Sequence, residues 1–154
     1  MRKVELVETI NTKPGSIISA FTDIILLKKW WGVERALIEK RKGGLYTLAW
    51  KITPTGFGYI STGLIKEYDP NSMLFVDHLI YLNPEKPFFG PMTLTIKAKP
   101  GIKNNSTEVY LCQDGYQNGP DWDWYYNIVK EAWPVVLQTL KQFLEEEENK
   151  IVPA

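Results

Sequence analysis

A chain of 154 residues suits one domain, and at that size enough surface is buried for a core without a disulfide or metal staple. Lysine plus arginine and aspartate plus glutamate number 18 each, so the basic excess of a general nucleic-acid binder is missing, as is the charge for electrostatic membrane anchoring. Cys112 is the only thiol, which excludes an intrachain disulfide, and aromatic residues make up 13% of the chain.

In chain order, Val4, Leu6, Val7 and Ile10 predict a first strand, ended by the turn formers Asn11-Thr12-Lys13-Pro14-Gly15. Ser16 reads as the N-cap of a helix carrying Ile17, Ile18, Ala20 and Phe21. Asp23 reads as the cap of a second short helix, with Ile24, Leu27, Trp30 and Trp31, which Gly32 ends.

From Arg35 to Asp114 the period falls to two. Tyr46, Leu48, Trp50 and Ile52 alternate with Leu45, Thr47, Ala49 and Lys51; Met92, Leu94, Ile96 and Ala98 alternate with Thr93, Thr95, Lys97 and Lys99. Val109 and Leu111 repeat the rule, and Gln113 continues their parity. Such alternation marks an antiparallel sheet with one covered face. Turn clusters at Gly43-Gly44, Thr53 to Gly56, Asp69 to Ser72, Asn83 to Pro87 and Lys103 to Ser106 divide this stretch into about six strands.

After Gly115 the helical period returns. Trp122, Tyr125, Tyr126, Val129, Trp133, Val136, Leu137, Leu140, Phe143 and Leu144 form one stripe. Pro134 either kinks this helix or opens its main part. The acidic run Glu145 to Glu148 opposes the helix dipole, which predicts a frayed, solvated end over 145–154. The expected class is therefore α+β, a single domain over 1–154. A curved antiparallel sheet of six to seven strands wraps a long C-terminal helix, and two short helices follow the first strand. A helix cannot fill the whole concave face of a strongly curved sheet, so a pocket is expected between them.

Trp30-Trp31, the Gly43-Gly44-Leu45-Tyr46 turn, Gly58, Leu64 to Tyr68, and Trp133-Pro134 followed by Leu137, Leu140, Phe143 and Leu144 carry a resemblance. The chain is similar to the START-like superfamily, which includes the birch-pollen-allergen-like proteins. Within it, the chain most resembles the branch related to the activator of the ninety-kDa heat-shock chaperone ATPase. The resemblance covers Val4 to Leu144 and implies the helix-grip fold with a central apolar cavity. The segment Tyr116 to Tyr126 departs from the family pattern, being unusually aromatic.

Site chemistry is sparse. His78 is the single histidine, which leaves no multi-histidine metal site, and the Gly43-Gly44 and Gly56-Phe57-Gly58 turns are no phosphate loop. Adjacent strand residues face opposite ways, so Asp77 and His78 cannot act as a dyad. The resemblance favours Phe75, Asp77 and Leu79 facing inward; an exposed or ion-paired Asp77 is the alternative. Cys112 has the outward parity. Asp121 and Asp123 read as helix-cap and first-turn acids.

The ligand-binding set expected around the pocket is Trp30, Trp31, Tyr46, Leu48, Trp50, Phe75, Asp77, Leu94, Gln113, Tyr126, Trp133 and Leu137. No catalytic residue, metal site or cofactor is assigned. The favoured function is binding of an apolar or aromatic small molecule. The alternatives are a chaperone-ATPase-activator-like interaction protein and a cyclase- or hydrolase-type enzyme using Asp77 or a cavity tyrosine. A homodimer stays open as a further partner. The N-terminus lacks the apolar run of a signal peptide, and Ile24 to Leu27 is far short of the roughly 20 residues of a membrane span, so a cytoplasmic protein is expected.

Overall fold

A computed structural model describes residues 2–151. Strand β1 (Lys3–Ile10) is followed by helices α1 (Pro14–Thr22) and α2 (Ile24–Trp31). A six-strand meander comes next: β2 (Arg35–Ile38), β3 (Leu45–Thr53), β4 (Gly56–Asp69), β5 (Met73–Leu82), β6 (Phe89–Pro100) and β7 (Thr107–Asp114). Helix α3 (Pro120–Ile151) closes the chain. All seven strands form one antiparallel sheet in the order β1-β7-β6-β5-β4-β3-β2, so β1 and β2 are its two edges. This is the α+β helix-grip arrangement that the hydropathy pattern predicts.

The sheet's concave face carries Tyr46, Leu48, Ile65, Leu74, Val76, Met92, Leu94, Ile96, Val109 and Leu111, all buried. Against it α3 lays Tyr125, Val129, Trp133, Leu137, Leu140 and Leu144, spaced by threes and fours on one side of the helix. Burying each such aliphatic side chain contributes about 1.5–3 kcal/mol. Helix α1 packs on β6 and β7, and α2 packs on α3.

Two helix ends follow different rules. Asp23 caps α2 as expected, accepting the Ile25 N–H at 2.8 Å, and Gly32 ends it in the left-handed region at φ 70°. The N-cap of α1 is Lys13 rather than Ser16, and no side chain caps it. Pro14 occupies the first turn; with no N–H to satisfy and φ already near the helical value, it starts the helix earlier than a serine cap would.

Helix α3 also differs from expectation at two places. It runs through Pro134 without interruption. Pro134 and Lys130 are both on the solvent side, so the Lys130 carbonyl that loses its partner is open to water. The acidic run is no frayed tail, since the helix continues to Ile151. Glu145 accepts the Asn11 backbone N–H at 2.9 Å and the Lys141 ammonium at 3.0 Å, and Glu148 accepts the Thr12 hydroxyl at 2.7 Å. These carboxylates tie the helix end to the β1–α1 corner, and partners outweigh self-repulsion.

The sheet bends at a bulge shared by β4 and β5. Registers shift between Thr62 and Leu64 and between Val76 and Leu79, and His78 takes φ 52°. Gly63 sits where β5 crosses: a Cβ there would meet Val76 Cγ1 at 2.7 Å and the Asp77 carbonyl at 2.9 Å. The extra residue resets the strand's parity. Leu74 and Val76 face in before it, and Leu79 faces in after it. Phe75 and Asp77 therefore lie on the outer face, which corrects the expectation that both face the cavity. Lys66 pairs with Asp77 at 3.8 Å and lies over the Phe75 ring.

Candidate functional site

Between α3 and the bent half of the sheet lies a cavity of about 320 Å³. Its walls come from seven elements. The left-handed exit of α2 presents Trp31; β3 supplies Tyr46, Leu48 and Trp50, and β4 supplies Tyr59 and Ser61. Leu79 and Tyr81 follow on β5, Leu94 on β6 and Gln113 on β7. Helix α3 covers the space with Trp124, Tyr125, Ile128, Val129, Ala132, Trp133 and Val136. No lining side chain is charged.

Of the residues expected there, Trp31, Tyr46, Leu48, Trp50, Leu94, Gln113 and Trp133 line the cavity. Trp30 is one layer deeper, stacked on Trp31 at 5.1 Å between ring centroids, with its indole N–H on the Ala20 carbonyl at 2.8 Å. Leu137 is buried core, one turn below Trp133. Tyr126 turns from the cavity toward the start of β1, where the Arg2 guanidinium lies 4.9 Å over its ring. Phe75 and Asp77, on the outer face, take no part.

The expected set omits Ser61 and Tyr81, and it omits Leu79 although the resemblance already turns that residue inward; Leu79 and Tyr81 both lie beyond the bulge and share one parity. It also passed over Tyr125, although Tyr125 and Val129 stand at i−8 and i−4 from Trp133 on the same helical stripe. Tyr59 of β4 is a further lining residue outside the expected set.

The rings are organised in two groups. Trp31 meets Trp50 at 5.2 Å and Trp133 at 5.6 Å. Across the cavity, Tyr59, Tyr81, Tyr125 and Phe89 form a continuous stack with successive centroids 6.3, 5.2 and 4.5 Å apart. Such pairs contribute about 0.5–1.5 kcal/mol each beyond the buried area. The aromatic segment Tyr116 to Tyr126 anchors this second group, since Tyr116 and Trp122 both meet Tyr125 edge-on or tilted.

Several polar atoms in the walls are committed to protein partners. The Trp50 indole donates to the Trp31 carbonyl at 3.2 Å, and the Tyr46 hydroxyl donates to the Phe21 carbonyl at 2.7 Å. Gln113 is a hub: its Oε1 accepts the Trp133 indole N–H at 2.8 Å, and its Nε2 donates to Tyr125 Oη at 3.0 Å and Met92 Sδ at 3.4 Å. Burial pushes the Tyr46, Tyr81 and Tyr125 phenols up, with a Gln113 hydrogen bond opposing this at Tyr125 and Asn83 opposing it at Tyr81. They stay protonated near neutrality. The site offers flat apolar walls and neutral hydrogen bonds.

A curved sheet gripping a long helix, with an uncharged cavity between, defines the START-like class of fold. A family model described as "Activator of Hsp90 ATPase homolog 1-like protein" matches residues 11–145, and the chain belongs to that family. No curated protein matches the chain. Among solved structures, protein MLL2253 from Mesorhizobium loti is similar at 20% identity, with 94% of this chain and 98% of that one covered and a TM-score of 0.72. The Aha1 dimer from Colwellia psychrerythraea is 18% identical, covering 94% and 97%, with a TM-score of 0.68. CalU16 from Micromonospora echinospora is 16% identical, covering 93% and 74%, with a TM-score of 0.66. No helix among the described residues is long and apolar enough to cross a membrane.

Proposed function

We infer that this protein, working as a single START-like domain in the cytoplasm, binds a small apolar or aromatic molecule in the cavity between its sheet and α3. The observation that carries this reading is the uncharged, aromatic-walled space of about 320 Å³, at the small end of ordinary ligand sites. The wall tyrosines whose burial raises the phenol stay protonated near neutrality and are not available as bases, and Asp77 lies outside, so the groups favour binding over acid–base turnover. Native mass spectrometry of the purified protein, with a thermal-shift screen of flat apolar compounds, tests it. A co-purifying small molecule, or several compounds raising the melting temperature, is the expected result. A library that shifts nothing, with no adduct in the native spectrum, overturns the reading.

A second reading, self-association, is favoured by the similarity to the Aha1 dimer. Analytical ultracentrifugation over a hundredfold range of concentration decides it, and a single monomer species throughout rejects it. The family description also raises an interaction with a chaperone ATPase. Stimulation of that ATPase by the purified chain is its test, and an unchanged rate removes it.

A further inference from the structure

We propose that the cavity's ligand carries an oxygen that only accepts hydrogen bonds, such as a ketone, ester or quinone carbonyl, and that this oxygen is held by the hydroxyl of Tyr125. The proposal rests on the cavity being a ligand site and deepens that reading.

The argument is one of donor direction. An indole N–H can only donate, so the contact of Trp133 Nε1 with Gln113 at 2.8 Å fixes the amide oxygen on the tryptophan side. The amide nitrogen must then face Tyr125 Oη at 3.0 Å and Met92 Sδ at 3.4 Å. An amide NH₂ also only donates, so Tyr125 uses an oxygen lone pair on Gln113 and keeps its own proton. Among the described residues no acceptor takes that proton. Tyr125 lines the cavity and is 6% exposed. A buried donor without an acceptor is costly, and a ligand oxygen would remove that cost.

The rest of the wall fits a flat molecule. Trp31 and Trp133 on one side, and Leu48 and Leu94 on the sheet, supply apolar surface. Of the buried lining residues, Tyr46 and Trp133 have already spent their protons on the Phe21 carbonyl and Gln113, which leaves Tyr125 as the deep donor; the hydroxyls of Tyr59, Ser61 and Tyr81 and the indoles of Trp31 and Trp124 belong to less buried residues. Burial also keeps the Tyr125 phenol protonated, as a donor requires.

Paired probes of one shape test this: 2-acetonaphthone, and 2-isopropenylnaphthalene, in which CH₂ replaces the carbonyl oxygen. Their affinities are read by quenching of tryptophan fluorescence. The expected result is a ketone bound about fivefold more tightly than the hydrocarbon. In Tyr125→Phe that ratio falls to one through loss of ketone affinity alone. A second variant, Trp133→Phe, keeps the Tyr125 hydroxyl but frees the Gln113 amide to turn its oxygen toward it, so the ratio falls there too. Equal binding of the two probes by the unaltered protein, or a preference that survives Tyr125→Phe, overturns the carbonyl assignment while leaving the cavity as a ligand site. If neither probe binds and the wider screen is also silent, the cavity reading fails and this one with it.

Discussion

The indoles of Trp31 and Trp133 meet with centroids 5.6 Å apart and planes tilted by 48°, joining the end of α2 to the middle of α3 above the cavity. One residue immediately precedes the left-handed turn at Gly32 and the other belongs to an unbroken helical stripe. Trp31→Ala should therefore cost about 2 kcal/mol, less than for a fully buried tryptophan, because Trp31 is only half-buried. Denaturant unfolding measures the loss. The same variant should weaken every ligand found by the thermal-shift screen, since it opens a wall.

Gln113 satisfies two aromatic partners at once. Gln113→Leu fills similar volume but strands the Trp133 N–H, and the expected loss is about 2 kcal/mol. Tyr125 then loses its donor as well. Urea melts of this variant and of Gln113→Leu/Trp133→Phe give the test. The double variant should recover part of the loss, because the stranded donor is gone; a double variant that is simply worse by the sum rejects the account.

At the bulge, Gly63→Ala places a methyl against Val76 and the Asp77 carbonyl. Backbone cannot yield there as a flexible side chain could. A destabilisation of about 2 kcal/mol or more is expected, within the range for overpacking. An unfolding midpoint unchanged from the parent would show that the two strands are further apart than described.

Asp77 tells the opposite story. Its ion pair with Lys66 is at the surface at 3.8 Å, and its Oδ1 accepts the His78 backbone N–H at 2.8 Å, a contact asparagine can keep. Asp77→Asn should change stability by no more than about 0.5 kcal/mol and leave ligand affinity untouched. Loss of a measured turnover in this variant would revive the enzyme alternative.

The far end of α3 should titrate. Burial raises the Glu145 carboxyl, but the Asn11 N–H and the Lys141 ammonium outweigh it and hold the group below its ordinary value. A carboxyl lowered in the folded state stabilises the fold above its unfolded pKa, and that stabilisation is lost as pH falls through the folded value. The gap between the parent and Glu145→Gln, about 0.5 kcal/mol at neutral pH, should therefore close below the ordinary carboxylate range near 4.5. Unfolding midpoints taken from pH 7 to pH 3 follow it.

How much of this was legible beforehand differs from element to element. The period-two runs around Leu48, Leu94 and Leu111 and the stripe through Trp133 declare the sheet and its helix, because burial on one face leaves a strict spacing. Asp23 and Gly32 declare the ends of α2. The bulge at Gly63 and His78 leaves no such trace: it inverts parity through backbone geometry, and so a parity that is right for Leu79 misplaced Phe75 and Asp77. The acidic end of α3 misled for a different reason. Its carboxylates are held by Asn11 and Thr12, distant in sequence, and local charge repulsion could not show that.

The two edges of the sheet are neighbours in the chain but opposites in space. Strands β2 to β6 each pair with the next along the sequence, whereas β1 pairs with β7, Val4 opposite Gln113. Closing that long loop is entropically slower than adding successive hairpins, so the N-terminal strand is expected to join a meander already made. Gln113 sits on the strand it joins, and the hub that orients Tyr125 would be completed by the last strand to arrive. Pulsed hydrogen exchange during refolding should then protect β4 and β5 amides before those of β1. The opposite order would mean that the cavity floor is set first and the sheet grows outward from it.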